Sequence, residues 1–387
     1  MPYYRRSGEI PRKRHARFPM AGGGLHSEEL MGEEGFSSSS SLLYHRHSPT
    51  AIVSAEVVAD ADPCLQDQHL LLPRHFRTHE LAVGGDLVTC RRLLVANDDV
   101  RILYAAADLP SALYRNAIGD ELVYIEDGEA VLESVFGALA VGAGDYVVIP
   151  TSTTYRFVPQ TGVVRALILE ASGHIRPPRR YLSSDGQFLE HAPYSERDLR
   201  APGGPLLVDG DGVAVLVRHR GGLTRYTYAH HPFDVVGWDG CLYPYAFSIH
   251  DFEPIVKRFH APPPVHQTFE GPNLVVCSFC PRPFDFDPDS IPVPYHHANV
   301  DSDEVLFYVG GDFMSRKGAG IGAGSISLHP AGFVHGPQPG SVEAALGKPG
   351  TDELAVMVDT FRPLRIAAGG REVEDDGYAW TWARSRA

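Results

Sequence analysis

His297-Ala-Asn299-Val-Asp-Ser-Asp303-Glu304-Val-Leu-Phe-Tyr-Val-Gly-Gly311 decides the fold, because the chain carries a second version of it. The earlier version reads Tyr114-Arg-Asn116-Ala-Ile-Gly-Asp120-Glu121-Leu-Val-Tyr-Ile-Glu-Asp-Gly128, with Asn, Asp, Glu and Gly at the same offsets. A second pair of elements follows in the same order. Gly144-(five residues)-Pro150-x-Ser152-x-x-Tyr155 matches Gly324-(five residues)-Pro330-x-Gly332-x-x-His335. The interval from Glu to the second Gly is 23 residues in one copy (121 to 144) and 20 in the other (304 to 324). Paired elements in one order at similar separation mark a duplicated unit, with copies near residues 80–175 and 230–366.

The unit is built of strands. Short β-branched runs such as Arg101–Tyr104, Glu121–Ile125, Tyr146–Ile149, Val163–Leu169 and Val213–Val217 alternate with turn signals, and long helical patterns are scarce. Gly (39) and Pro (31) are abundant, as many tight turns require. An all-β fold of two barrels is therefore expected. Residues 1–79 read as an irregular N-terminal arm with linking segments: a basic stretch (Arg12 to Arg17), a glycine triplet (Gly22 to Gly24) and a serine run (Ser37 to Ser41). The arm is read either as a tail or as a segment wrapping the body or a neighbouring subunit. The remaining divisions are an N-terminal barrel at 80–175, a connecting segment at 176–229 and a C-terminal barrel at 230–387.

Composition narrows the function classes. The chain has 387 residues and a formal net charge of -14, which argues against nucleic acid or an anionic membrane as partner. No apolar run is long enough for a transmembrane helix, and the first residues lack the apolar stretch of a secretory signal. Five cysteines (Cys64, Cys90, Cys241, Cys277, Cys280) at irregular spacing fit a reduced, cytoplasmic protein. Cys277 and Cys280 lack a second pair to complete a zinc site and are expected to be core thiols.

Three residues in the second copy carry chemistry. His297 and Asn299 alternate by two, so on a strand they share a face. Glu304 returns to that face beyond the polar turn Asp301-Ser302-Asp303, and Gly332 permits the tight turn before His335. Two imidazoles and a carboxylate on one side of a metal form the facial triad of non-haem iron(II) oxygenases, which leaves positions open for substrate and O2. In the first copy Tyr114 and Tyr155 stand where His297 and His335 stand, and only Glu121 keeps its ligand type. Such a set makes a poor iron(II) site, so the first barrel is expected to carry no metal and the chain one Fe(II).

The two elements resemble the paired cupin signatures, with Asn299 in place of one motif histidine. The chain is thus expected to be a bicupin, two double-stranded β-helix (jelly-roll) barrels. Together with Pro232-Phe-Asp-Val-Val-Gly-Trp238, Pro294-Tyr295, Ser327-Leu-His329, His335-Gly-Pro337, Gly8-Glu-Ile-Pro11-Arg-Lys-Arg-His15 and Glu28-Glu-Leu-Met31, the sequence resembles the homogentisate 1,2-dioxygenase family, in its shorter bacterial form. The resemblance implies a ring-opening reaction of homogentisate with O2 that gives maleylacetoacetate, in tyrosine and phenylalanine catabolism. It implies metal ligands at His297, Glu304 and His335. Catalytic roles fall on His266, with His260 competing as the base, and on His329; substrate contacts fall on Tyr295, Phe313 and His335. It also implies a homo-oligomer, trimer or hexamer. A gentisate-like substrate or a non-catalytic ligand-binding bicupin are the alternative readings. The chain departs from the family pattern in three places. Phe313 stands where a tyrosine is usual, the step from His297 to Glu304 is one residue longer, and Gln338 follows His-Gly-Pro where an acidic residue is common.

Overall fold

A computed structural model describes residues 3–60, 65–313, 315–316 and 318–383 of the chain. Cys64 lies outside the described residues; Cys90, Cys241, Cys277 and Cys280 are free thiols, the last two buried in the core.

The molecule is all-β, and its strands form two packed barrels. An eight-stranded sheet runs Leu199–Arg200, Tyr245–Ser248, Asp145–Ile149, Glu121–Asp127, Val164–Ala171, Val100–Ala107, Arg92–Ala96, Arg365–Ile366. A seven-stranded sheet faces it and closes the first barrel. A six-stranded sheet builds the second: Gln267–Gly271, Leu274–Phe279, Leu354–Thr360, Asp303–Gly310, Ser325–His329, Arg74–Arg77.

The strands of the eight-stranded sheet are apolar at nearly every position because both of their faces are buried. Alternation then sorts the side chains. Val123, Ile125, Val147, Ile149 and Ile168 point into the first barrel and join one core. Leu122, Tyr124, Tyr146, Val148 and Leu167 point the other way, into a core shared with Phe269, Val276, Val305, Phe307 and Val356 of the six-stranded sheet. The two barrels are thus cemented sheet to sheet by side chains worth about 1.5–3 kcal/mol each on full burial.

Their interiors differ. The first barrel encloses twenty buried apolar side chains, Tyr114 and Tyr155 among them. The second has an interior cluster of only five: Cys277, Leu306, Tyr308, Ala355 and Met357. The missing filling leaves a cavity.

Strand register proves the duplication in three dimensions. Glu121 pairs with Ile149 and Glu170, and Tyr155 with Tyr114. In the second barrel Glu304 pairs with His329 and Asp359, and His335 with His297. The Asp of the repeat has the same task in both copies. Asp120 accepts from the backbone N–H of Thr151 and Ile175, at 2.8 and 2.9 Å; Asp303 accepts from Ala331 and Leu364, at 2.8 and 2.7 Å. Each pins the two loops that flank its glutamate.

The N-terminal segment is more regular than its composition implies. Arg5–Gly8, Ser27–Gly32 and Ser40–His45 join Val235–Gly240 in a four-stranded sheet. Its centre is tied by buried His45, whose Nδ1 lies 2.6 Å from Asp234. Ile52–Asp60 pairs with Gly222–His230. Arg74–Arg77 supplies the edge strand of the second barrel. Segment 176–229 contributes two long strands, Asp211–His219 and Gly222–His230, to the seven-stranded sheet. Apart from the local pairs of Ser27–Gly32 with Ser40–His45 and Asp211–His219 with Gly222–His230, local composition cannot reveal these pairings because their partners lie far away in the chain.

Candidate metal centre

Glu304 opens the strand Asp303–Gly310, with its side chain toward the interior of the second barrel. His297 and His335 do not lie in long strands. They meet in an isolated bridge whose two backbone N–H···O=C bonds are both 2.8 Å. Gly332, at φ 76°, makes the turn ahead of His335 and donates its N–H to the Asn299 carbonyl at 2.7 Å. A side chain there would strain the backbone.

These devices bring His297, Glu304 and His335 together, with one ligand atom of each within 4.8 Å of the others. Glu304 Oε2 lies 3.5 Å from His297 Nε2, and Oε1 lies 3.3 Å from His335 Nε2. Both rings are oriented from behind. His297 Nδ1 is 3.0 Å from the Tyr295 carbonyl and His335 Nδ1 is 3.1 Å from the Phe333 carbonyl. A carbonyl can only accept, so each Nδ1 carries the proton and each Nε2 presents its lone pair to the centre. His335 Nε2 is buried and has no hydrogen-bond partner. An orphaned acceptor beside a buried carboxylate and a second imidazole is a donor set that fits a divalent cation. Burial opposes the charge on Glu304, but the three histidines around it outweigh that and hold its carboxyl well below the usual range.

His329 is the third of those histidines. It is fully buried and does not line the cavity. Its ring stacks on His335 with centroids 4.2 Å apart. Nδ1 contacts Glu304 Oε1 at 3.0 Å, and Nε2 contacts the Tyr378 hydroxyl at 3.2 Å. Burial drives its pKa down to about 3, so the ring is neutral and steadies Glu304 from behind.

A cavity of about 680 Å³ opens in front of His297 and Glu304; His335, expected to touch a substrate as well as a metal, is not among its lining residues because its buried ring lies behind Glu304. Phe279, Leu306 and Met357 line its apolar wall, and His297, Asn299, Glu304, Arg316 and Asp359 its polar end. Tyr295 is exposed at the rim, with its ring 5.5 Å from His260 and 6.0 Å from His297. His266 lines the cavity and is buried, and its Nδ1 lacks a partner. Burial, aided by Arg282, drives its pKa down to about 3. Phe313, expected to touch a substrate, is not among the lining residues; its ring packs edge-on against Tyr308 at 5.4 Å. His296 is exposed and stands outside the cluster.

Asp359 escaped the sequence reading. It is the register partner of Glu304, and burial together with the Glu304 charge raises its pKa to about 7. Asn299, standing where a motif histidine is usual, donates to it at 3.3 Å. The repeat held the signal, since Leu169-Glu170-Ala171 and Val358-Asp359-Thr360 occupy matching positions.

The first barrel shows how the same frame looks with a different occupant. Its ring is Tyr114, Glu121, Tyr155 and Glu170, and the guanidinium of Arg91 sits inside it. Arg91 donates to Glu121 at 2.5 Å, to Glu170 at 3.0 Å and to the Tyr155 hydroxyl at 2.9 Å. It also lies 5.3 Å above the Tyr114 ring. A protein cation occupies the equivalent of the triad. A further group, Glu33, Asp120 and His174, converges at the barrel edge, where the Asp120 oxygens are already engaged by backbone and Thr151 donors.

Comparison with known proteins places these features. Residues 95–249 match the family model described as homogentisate 1,2-dioxygenase N-terminal. A protein of Saccharolobus solfataricus provisionally named a dioxygenase is 38% identical over the full length of both chains. Homogentisate 1,2-dioxygenase of Emericella nidulans is 28% identical across 73% of this chain and 66% of its own length. For the Bradyrhizobium diazoefficiens enzyme the figures are 27%, 70% and 62%. This chain thus aligns with only about two thirds of those enzymes. Solved cupin structures are remote. A cupin 2 barrel protein from Leptotrichia buccalis is 10% identical over 79% of this chain and all of its own, with a TM-score of 0.32. Full-length similarity to a dioxygenase relative and the match of residues 95–249 to the family model place this chain in the homogentisate 1,2-dioxygenase family.

Proposed function

We propose that the chain is an iron(II)-dependent, ring-cleaving dioxygenase that opens homogentisate, or a closely related hydroquinone acid, with O2 to give maleylacetoacetate in tyrosine and phenylalanine catabolism. The observation that carries the reading is the unpartnered, buried His335 Nε2 beside Glu304 and His297, the last two lining a ring-sized cavity. Iron(II) on these three residues would hold substrate and O2 in adjacent positions and pass electron density between them.

The chain's own residues supply the rest. Backbone carbonyls of Tyr295 and Phe333 fix the two imidazoles, and His329 fixes the carboxylate. Phe279, Leu306 and Met357 give the aromatic ring an apolar seat and keep water from it. His266, with a free Nδ1 lining the cavity, accepts the phenolic hydrogen bond and takes the proton as the bound, negatively charged substrate raises the basicity that burial lowers; His260 at the rim is the weaker candidate because it is exposed. Tyr295 flanks the substrate entrance. The barrels divide the work: residues 80–175 serve structure, and 230–387 hold one iron per chain. A cytoplasmic homo-oligomer, trimer or hexamer, completes the reading.

The test is anaerobic iron(II) loading followed by O2 consumption with a panel of hydroquinone acids. Homogentisate should be turned over fastest, with the absorbance of a ring-opened product. Faster uptake with gentisate would overturn the substrate assignment, and no uptake with any member would overturn the activity.

A further inference from the structure

We infer that Arg316 is the specificity-determining anchor for a carboxylate carried by the aromatic substrate; this rests on the ring-cleaving reading above. Arg316 lines the cavity that holds His297 and Glu304 and is only 4% exposed. It donates to the carbonyl of Gly336, the residue after His335, so it is anchored beside the triad. Its guanidinium lies 5.7 Å from the Trp382 ring, with the phenols of Tyr308 and Tyr378 beside it. These partners are neutral, and the carboxylates whose charge reaches it, Glu304 of the triad and buried Glu353, make no ion pair with it. Its Nε–H has no partner. Among the described residues, no carboxylate stands within ion-pair distance of it.

That is unusual for a buried cation, which ordinarily carries its counter-charge with it. The buried side chain of Arg91 and the half-buried one of Arg282 carry carboxylates beside them. Arg91 is matched by Glu121 and Glu170. Arg282, the second arginine on the cavity wall, faces Glu353 at 3.7 Å and donates to the Cys280 carbonyl at 3.0 Å. Arg316 alone of the two cavity arginines has charge to spare. A guanidinium on a cavity-lining residue with no carboxylate paired to it suits a carboxylate ligand. The ligand class is therefore an aromatic acid, held with its carboxylate toward Arg316 and its ring on the apolar wall. A neutral hydroquinone would leave the guanidinium unmatched, so the site discriminates by the charge on the side arm rather than by the ring.

The experiment is anaerobic calorimetric titration of the full chain, metal-free and iron-loaded, with homogentisate and with methylhydroquinone, which keeps the ring but lacks the carboxylate. Wild type should bind the acid at least about ten-fold more tightly. Arg316→Gln should abolish that preference by weakening the acid and leaving methylhydroquinone unchanged, whereas Arg282→Gln should preserve it. Should Arg316→Gln fail to fold, Arg316→Lys carries the test, with a reduced but surviving preference. A preference that persists in Arg316→Gln, or equal affinities in wild type, overturns the anchor while leaving the ring-cleaving reading standing. Binding of neither compound to wild type overturns that reading itself.

Discussion

The two barrels present one frame with two occupants. In the first, Tyr114, Glu121, Tyr155 and Glu170 surround the guanidinium of Arg91. In the second, His297, Glu304, His335 and Asp359 hold the matching positions, and the imidazole nitrogen of His335 has no partner. Both frames gather negative charge in a dry interior, and both must neutralise it. One does so permanently, with a covalently attached cation. The other brings together three residues that would hold an exchangeable ion on the proposed reading, next to a cavity. On the proposed reading a site for chemistry differs from a structural site in two respects: its cation would be exchangeable, and its barrel is incompletely filled.

The largest effect that can break this comparison comes from its two equivalent positions. His335→Ala should abolish oxygen uptake in the iron-loaded chain, whereas Tyr155→Phe, at the matching place, should leave turnover intact. Equal losses would mean that the barrels are not differentiated as described. Arg91→Ala tests the first frame. It strands Glu121 and Glu170 without their central cation and should destabilise the fold by about 3–5 kcal/mol in a denaturant titration. A loss under about 1 kcal/mol would show that Arg91 does not neutralise the frame.

Smaller effects sharpen the picture of the second frame. His329→Gln removes the group that steadies Glu304 and should weaken metal affinity by about 10–100-fold with the triad unchanged. Unchanged affinity together with lost turnover would return His329 to a direct catalytic role. Tyr378→Phe removes only the hydroxyl behind His329 and should cost about 0.5–1.5 kcal/mol of stability, with metal content retained.

How legible this was in sequence follows from the range of each interaction. The triad and the duplication were readable because strand alternation and turn glycines fix them locally: Gly332 at φ 76° sits where the motif requires a turn. Asp120 and Asp303 were visible as repeated letters, but their task, pinning two loops each, needed the fold. Arg91 could not be found, since it reaches its frame from a strand-flanking position outside the paired motif elements. The true place of His329 was obscured for a different reason. Spacing puts it near His335, yet the Glu304 register turns its ring behind the carboxylate rather than into the cavity. Phe313 is a similar case, where a local turn with φ 41° sets the ring against Tyr308. Most strands of the first 77 residues were hidden by loop-like composition, because their partners lie more than about 160 positions away; only Ser27–Gly32 pairs locally, with Ser40–His45.

The most direct test of the central claim is metal quantification on the purified, iron-loaded wild-type chain, with His335→Ala and Tyr155→Phe measured beside it. One equivalent of iron per chain in wild type, one in Tyr155→Phe and essentially none in His335→Ala is the predicted result. Two equivalents in wild type, or iron retained by His335→Ala, would contradict it.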